Sequence, residues 1–377
     1  MDLKELFDLN LCLRCTGRIF AAVDTGLTNE ERGARLYFAY KSIYGERDVP
    51  ESCYLCNGVF KKFDEFFNIL MSKLNNYEFN SILVGSTFDE NIIEMEKDIQ
   101  SRFGSKGESI KKEFNREFGK YLSKRLGKPF SKDADLTIEV DALYENVNII
   151  VKPVYIYGVY IKKSRDISQT RWIHKTGESI ESIIGNELRS MTGCENYYLH
   201  GSGREDVDVM MLGNGREFVI EAAMPKRRYI DLYELQLRVN ASGILFIYNL
   251  SYSSKATVRR IKSELHEKLY IAEVTGDLNK DIKKACSKFN NLIIEQRTPL
   301  RVINHRSDLV RRKKINYINI ISIMNGRALL KICAEAGTYI KELVNGDNGR
   351  TVPSLSSVYG SQLQVSSLDV VKIYRDD

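Results

Sequence analysis

The chain is predicted to be an α+β protein: a mixed, mostly antiparallel sheet domain, preceded by an α/β accessory part that begins with a cysteine-clamped segment. Three observations lead to this class. Two Cys-x-x-Cys pairs, Cys12/Cys15 and Cys53/Cys56, lie close to the start. A stretch of helical periodicity follows and gives way, after Pro129, to alternation of period two. From about residue 173, strands and helices interleave without the regular alternation of a parallel βαβ array.

At 377 residues the chain exceeds one ordinary domain and suits two or three. Hydrophobic residues make up 43% of it and no low-complexity tract occurs, so most of its length should fold. The longest apolar runs, such as YINIISIM (317–324), are too short to span a bilayer. The start, MDLKELFDLNLCLRC, lacks the basic head and apolar run of a signal peptide. A cytoplasmic protein without membrane contact is expected.

In a reducing compartment, paired Cys-x-x-Cys motifs favour a metal over a disulfide. Cys12, Cys15, Cys53 and Cys56 supply the four thiolates that tetrahedral zinc prefers, which makes the site structural; a redox pair is the rival reading. Residues 16–52 exceed a zinc-ribbon spacer, and ERGARLYFAYKSIYG (31–45) has the spacing of a helix inserted there. Residues 1–62 are read as this metal segment.

Residues 63–127 carry helices, one of which sets Ile110, Phe114, Phe118 and Tyr121 on one face. LTIEVDAL and NIIVKPVYIYGVYIK then read as strands. They close on YIKKSRDISQTRW (160–172), a basic, aromatic edge on which Tyr155, Tyr157 and Tyr160 either stack on bases or pack as strand tyrosines. The third segment, 173–377, opens with the amphipathic helix ESIESIIGNELRSMTG, ended by Gly193. It continues through strands REFVIEAAM and SGILFIYNL, a helix around IKSELHEKL, and the sheet-like YINIISIM and RALLKICAEA.

Net charge is +6, and its distribution matters more than its size. Arg297, Arg301, Arg306, Arg311, Arg312, Lys313 and Lys314 lie close together with Asp308 as the one acid among them. A second cluster is Lys226-Arg227-Arg228. Such clusters suit a phosphate backbone, or else form a solvated basic face.

The stretch LHGSGREDVDVMMLGNGREF (199–218) holds the chemistry. Its glycines precede a strand-like run and lack the Lys-Ser/Thr of a P-loop or the helix of a dinucleotide fingerprint, so no nucleotide cofactor is expected. The four histidines, 174, 200, 266 and 305, form no Ser-His-Asp constellation with local support. Carboxylate chemistry remains. In a strand starting near Arg204, Asp206 and Asp208 share one face, with Asp206 nearer the loop. There it acts as nucleophile or base, or caps backbone N–H groups as turn aspartates do. In AEAGTYIKELVNGDNGRT (334–351), the pair Ile340-Lys341 offers a cation to keep Asp206 ionised; Arg204 and Arg350 are the other candidates.

The order GREDVDV…LGNGREF, EQRTPLRVINHRSDLVRRKK and EAGTYIKELVNGDNGRT resembles that of the archaeal–eukaryotic tRNA pseudouridine synthases with an N-terminal zinc-binding THUMP region, along the whole chain. The resemblance implies a pseudouridine-synthase catalytic domain over 173–377 and a THUMP-like RNA-binding region over 63–172. It implies Asp206 as the catalytic aspartate, Tyr270 against the target base, Ile340 and Lys341 as the apolar–basic pair, and Leu368 in the pocket. It further implies tRNA as partner, bound through Lys226, Arg227, Arg228, Arg311, Arg312, Lys313 and Lys314, with the T-arm uridines 54 and 55 as targets. Structural Zn2+ is then the one cofactor and the protein a monomer. Two positions depart from the family pattern, Met210 for an arginine and Glu217 for a proline, and HRSDLVR is one residue short. Loss of the basic side chain at 210 is expected to weaken the grip on substrate or to shift the position preferred. The alternative is a THUMP-containing tRNA-binding or folding protein without activity. A methyltransferase or thiolation enzyme would need loops that the sequence lacks.

Overall fold

The computed structural model describes residues 2–23, 26–74, 76–171, 177–278 and 281–375, the side chain of His305 excepted. Trp172 and His174 lie outside the described residues. The chain divides into two compact units, 1–152 and 153–377. Neither expected boundary, at 62/63 or at 172/173, coincides with that division. The cysteine segment is continuous with the helices after it, and the strand expected to end the accessory part belongs to the second unit.

In the first unit, strands β1 (Ile82–Thr87), β2 (Leu136–Asp141) and β3 (Asn146–Val151) form a small sheet, β1 parallel and β3 antiparallel to β2. Its core face takes alternate residues such as Ile82, Val84, Leu136, Ile138 and Val140. Helices Phe63–Lys73 and Ile110–Leu126 pack on the sheet. Ile110, Phe114, Phe118 and Leu122 make the second helix's buried stripe at the spacing the sequence shows. The helix expected at 31–45 spans Asn29–Tyr44 and starts in a Thr28/Glu31 capping box.

A buried cation joins the cysteine segment to these helices. Arg18 is only 1% exposed. Its Nε lies 2.6 Å from Glu96 and its Nη1 3.0 Å from Glu113, while Nη2 donates to the Cys15 sulfur at 3.4 Å. Glu96 in turn accepts from the Ile110 amide at the start of the second helix, at 2.9 Å. This triad is the reason that residues 1–62 do not fold as a separate segment.

The second unit is built on a ten-stranded sheet. Its strands are β4 (Val154–Lys162), β5 (Asn196–Gly201), β6 (Val209–Ala223), β7 (Leu245–Ser253), β8 (Lys268–Gly276), β9 (Leu292–Arg297), β10 (Val310–Met324), β11 (Arg327–Ala334), β12 (Thr351–Val352) and β13 (Leu363–Ile373). They run β12-β9-β10-β11-β8-β13-β6-β4-β7, with β5 also pairing β6. Among the described residues every pair is antiparallel except β13 with β6. The mixed α+β class with a mostly antiparallel sheet is therefore what forms.

The GNG of the quoted stretch makes a bulge in β6. Gly213 and Gly215 have φ of +60° and +61°, and a Cβ on Gly213 would stand 1.7 Å from the Val371 carbonyl oxygen. Across the bulge the partner register jumps from Tyr160↔Arg216 to Lys162↔Met211. Asn214 seals the break, its side chain donating to Ile373 O at 2.7 Å and accepting from Ile373 N at 2.9 Å.

Two local expectations change. The helix expected around IKSELHEKL lies earlier, at Lys255–Ser263, because the alternating run from Lys268 is claimed by β8. Tyr155 and Tyr160 are buried, so the strand-packing reading of those tyrosines holds and base stacking does not. Among the described residues no helix is long and apolar enough to cross a membrane.

Replacing Arg18 by Met should lower stability by about 3–5 kcal/mol, because two interior carboxylates lose their counter-charge. Chemical denaturation of the full chain reads the loss. Adding Glu96→Gln and Glu113→Gln to that variant should recover part of it.

Candidate active site

The loop between β5 and β6, residues 202–208, is tied down before any of its side chains faces solvent. Ser202 donates its N–H to Glu217 O at 3.0 Å, and Arg216 Nη1 donates to Ser202 O at 2.7 Å. Gln169 Nε2 donates to Gly203 O at 2.9 Å and to the Tyr160 hydroxyl at 3.0 Å. Glu205 turns inward, where Tyr160 donates to its two oxygens at 2.9 and 3.0 Å. Arg216 Nε stands 2.8 Å from Glu205, an ion pair by distance although the N–H does not point along that line. The burial cost of one carboxylate is thus met by a guanidinium and a phenol.

Asp206 and Asp208 are not in a strand. β6 begins at Val209, and residues 206–209 form a turn closed by Val209 N to Asp206 O at 3.2 Å. The alternation expected from Arg204 fails because Lys162 and Arg216 bind the loop from below and hold its peptides away from a ladder. Both carboxylates nevertheless meet Lys341, and Asp206 meets Arg301 as well. Arg301 Nη1 donates to Asp206 at 2.9 Å. The other edge of that guanidinium is locked to Glu342, with Nε to Oε1 at 2.7 Å. Lys341 Nζ donates to both oxygens of Asp208, at 2.8 and 2.7 Å, and stands 3.5 Å from Asp206.

The expected Lys341–Asp206 pairing is thus the longer contact, and Arg301 is the hydrogen-bonded partner. Arg301 sits inside the quoted EQRTPLRVINH run, but its reach to Asp206 depends on the short 3-10 turn Leu300–His305, which no periodicity announces. Of the other candidates, Arg204 is exposed and Arg350 is engaged with Thr298 O and Asp308. Asp206 keeps 38% of its side chain exposed, so it is oriented and still reachable.

The charges respond to this setting. Burial would raise the Asp208 pKa, but the Lys341 ammonium outweighs it and holds the carboxyl below its ordinary value. Burial would lower that of Arg301; Glu342 and Asp206 reverse the sign.

The apolar residues lie where the sheet meets the loop. Leu368 is register-paired with Val209 in parallel and with Ala272 across β8. Tyr270 pairs with Ile332 and Val370, and Ile340 opens the helix Ile340–Asn345. All three are buried members of one core that includes Val209. Burial pushes the Tyr270 phenol up to about 12, with the Arg216 charge opposing, so it stays a neutral ring and hydroxyl. Tyr339, overlooked in the GTYIKEL stretch, places its ring 6.0 Å from the Arg301 guanidinium and accepts from Arg306 at 2.9 Å.

The basic residues divide. Lys226, Arg227, Arg312 and Lys314 are exposed. Arg228 is buried, and Lys313 bends inward to Ala336 O and Glu335. Arg311 donates to Thr298 Oγ1 at 3.1 Å. The alternation of β10 separates 311 and 313 from 312 and 314.

In the first unit the four cysteines come together as their spacing implies. Cys12 Sγ lies 3.8 Å from those of Cys56 and Cys53, which are 3.9 Å apart, and all four sulfurs fall within 4.8 Å of one another. A tetrahedral ion with sulfur bonds of about 2.3 Å sets its ligands about 3.8 Å apart. The cluster can hold such an ion, and Arg18 stands beside Cys15 to offset its negative charge.

Comparison with known proteins agrees with both halves. The family models described as Pus10 THUMP domain, archaeal, and Pus10, C-terminal, match residues 66–141 and 155–374. The chain belongs to the Pus10 family of tRNA pseudouridine synthases. A relative named tRNA pseudouridine synthase Pus10, from Thermoplasma acidophilum, is 48% identical over 100% of this chain and 99% of its own. Another of that name, from Pyrococcus furiosus, is 38% identical over 97% of this chain and 95% of its own. A solved Cbf5-Nop10-Gar1 complex overlaps 58% of this chain and 59% of its own at 16% identity, with a TM-score of 0.34, too low to carry an argument. The THUMP match lies within the expected 63–172 region but ends at residue 141, before β4.

Because Lys341 depresses the Asp208 pKa, their pair contributes stability above the ordinary carboxylate range and loses it as pH falls through the depressed value. In Lys341→Met the Asp208 pKa should rise to the ordinary carboxylate range or above, and this acid-side dependence should flatten. Carboxyl-carbon NMR titration of the two proteins reads the shift.

Proposed function

We propose that the protein isomerises uridine to pseudouridine in the T arm of tRNA, at position 55 and also at 54, with Asp206 as the acting carboxylate. The observation that carries this is the setting of Asp206: half exposed on an anchored loop, 2.9 Å from Arg301, beside the Leu368 edge of an apolar core. The reaction breaks the C1′–N1 bond, turns the uracil and forms C1′–C5. The proton on C5 leaves and N1 gains one, so no redox group or carrier is consumed. A uridine in a folded arm must leave its stack to reach a side chain. In this reading it lies against Tyr270, Ile340 and Leu368, which keep water from the reacting carbon. Asp206 acts at C1′ by attack or at the 2′ position by removing a proton. Both roles need a carboxylate held in a set direction, which the contacts with Arg301 and Lys341 provide.

Lys226, Arg227, Arg312 and Lys314 are the exposed cations that meet the tRNA backbone, Arg312 from beside Glu295, and the THUMP region reads its shape. Arg228, Arg311 and Lys313 serve the fold that presents them. The cysteine cluster holds structural zinc, with no open position for chemistry. The seven reduced cysteines suit a cytoplasmic protein, which in this reading works as a monomer.

Asp206→Asn keeps the shape of the side chain and removes its charge. It should retain tRNA binding while pseudouridine formation falls by more than about a thousandfold. Position-resolved mapping of a T-arm transcript reads both the loss and the targets. Activity equal to wild type would remove Asp206 from the chemistry. A wild-type protein that binds tRNA and modifies nothing would favour the reading as a binding or folding protein.

Elemental analysis of gently purified protein should give one zinc per chain. Cys15→Ser or Cys56→Ser should lose the metal and destabilise the first unit, and a metal-free wild type of full stability would refute the cluster's role.

A further inference from the structure

We propose that Lys162, assisted by Arg165, is the positioning residue that sets the conformation of the loop carrying Asp206; this rests on the reading of Asp206 given above. Lys162 ends β4 and has no exposed surface. Its ammonium donates to Ile167 O at 3.1 Å, Asp206 O at 3.2 Å and Val207 O at 2.8 Å. It has three donors for three carbonyls and ion-pairs with no carboxylate among the described residues. The charges of Glu205 and Asp208 lie near enough to favour the ammonium but do not offset its burial, so the three carbonyls carry its solvation. Three carbonyl oxygens from two chain segments converge on one point. An apolar or two-donor side chain there would leave at least one of them unsatisfied in the interior.

The adjacent turn extends the same device. Arg165 Nη1 donates to Asp208 O at 2.9 Å and to Leu368 O at 3.0 Å, while Nη2 reaches Asp369 Oδ1 at 2.5 Å. Two cations three residues apart thus take the consecutive carbonyls of Asp206, Val207 and Asp208. Holding a carbonyl fixes the peptide plane after its residue, so three successive planes are set. With those planes set, the Asp206 side chain leaves the backbone in the direction where Arg301 meets it. Arg165 also ties the loop to Leu368 and Asp369 of β13, at the parallel join of β13 and β6. Lys162 and Arg165 belong to the YIKKSRDISQTRW run, which the sequence shows as a basic, aromatic edge. In the structure these two bind protein backbone, and neither touches the carboxylate of Asp206.

The test compares full-length Lys162→Met, Lys162→Arg, Arg165→Gln and Asp206→Asn with wild type. Thermal unfolding, tRNA affinity and pseudouridine formation per folded molecule are measured on each. A loop displaced by a fraction of an ångström should cost Lys162→Met about a hundredfold in kcat, with KM and tRNA affinity within about threefold of wild type. Arg165→Gln should lose about tenfold in kcat with the same unchanged KM, and Lys162→Arg should recover part of the Lys162→Met loss. A merely structural lysine would lower the unfolding temperature and leave kcat per folded molecule unchanged, and that result overturns the proposal. A rise in KM with kcat intact also overturns it, because it would mean contact with substrate. If Lys162→Met does not fold, Arg165→Gln decides alone: a kcat equal to wild type sinks the idea. Asp206→Asn separates the two readings. If it is inactive while Lys162→Met turns over normally, only the positioning role falls; if it is active, the role of Asp206 falls first.

Discussion

The second unit depends on a guanidinium that never meets water. Arg216 lies in β6, just past the glycine bulge, and is wholly enclosed. It stands 2.8 Å from Glu205 and donates to Ser202 O, so the start and the middle of the 202–208 loop refer to one charge. Burying a pair of this kind gains little stability against an apolar replacement, and removing one partner is expensive. Its value is specification. The loop path that places Glu205 within reach of both Arg216 and the Tyr160 hydroxyl leaves Asp206 on the open side. The same charge acts further along the core. Together with burial, which is the larger cause, it pulls the neighbouring Lys268 down to about 8.

Above the loop the polarity is reversed. Asp206 and Asp208 are partly exposed, and Arg301 and Lys341 come from segments far along the chain. Arg301 is immobilised by Glu342, whose side chain is buried, so its free edge is presented in a set direction. A surface ion pair is worth little to stability when both partners move. Here one partner is held from behind and the other sits on an anchored backbone. The arrangement therefore orients a carboxylate at modest energetic return. The buried charges below specify the backbone and the half-buried charges above aim the side chain.

How much of this was legible in the sequence follows from what each feature depends on. Periodicity located the Ile110 helix, the strands of β4 and β6, and the helix between the cysteine pairs, because each buries one face and its pattern is local. Thiol spacing located the cluster of four cysteines for the same reason. The GREDVDV motif draws attention to Asp206, which the structure sets against Arg301, but the motif forms a turn and not the expected strand. Alternation of charged and apolar residues is also what a turn shows when Glu205 and Val209 point inward. The domain boundary was missed because the strand pattern runs unbroken from residue 146 to 162, and only pairing reveals that β4 joins β6. Arg301 and the inward bend of Lys313 depend on contacts across dozens of residues, to which no spacing rule applies.

The two departures from the family pattern show how the fold absorbs substitutions next to such a site. Glu217 stands where the family has proline, and it is buried. It accepts from the Tyr157 hydroxyl at 2.7 Å and is flanked by Arg260 at 3.3 Å and Arg375 at 3.7 Å. Its charge is therefore met by cations from two other segments, and its backbone carbonyl holds Ser202 as any residue's would. Met210 stands where the family has arginine, register-paired with Asp369. An acid left without a basic neighbour at that position would be unpaired beside the loop. Arg165 reaches Asp369 at 2.5 Å, so the acid is already neutralised from the β4 side. The missing cation at 210 then bears on what approaches from solvent rather than on the loop itself. An uncharged thioether at that edge costs the protein no internal ion pair, so its effect should fall on tRNA binding and leave the geometry around Asp206 unchanged.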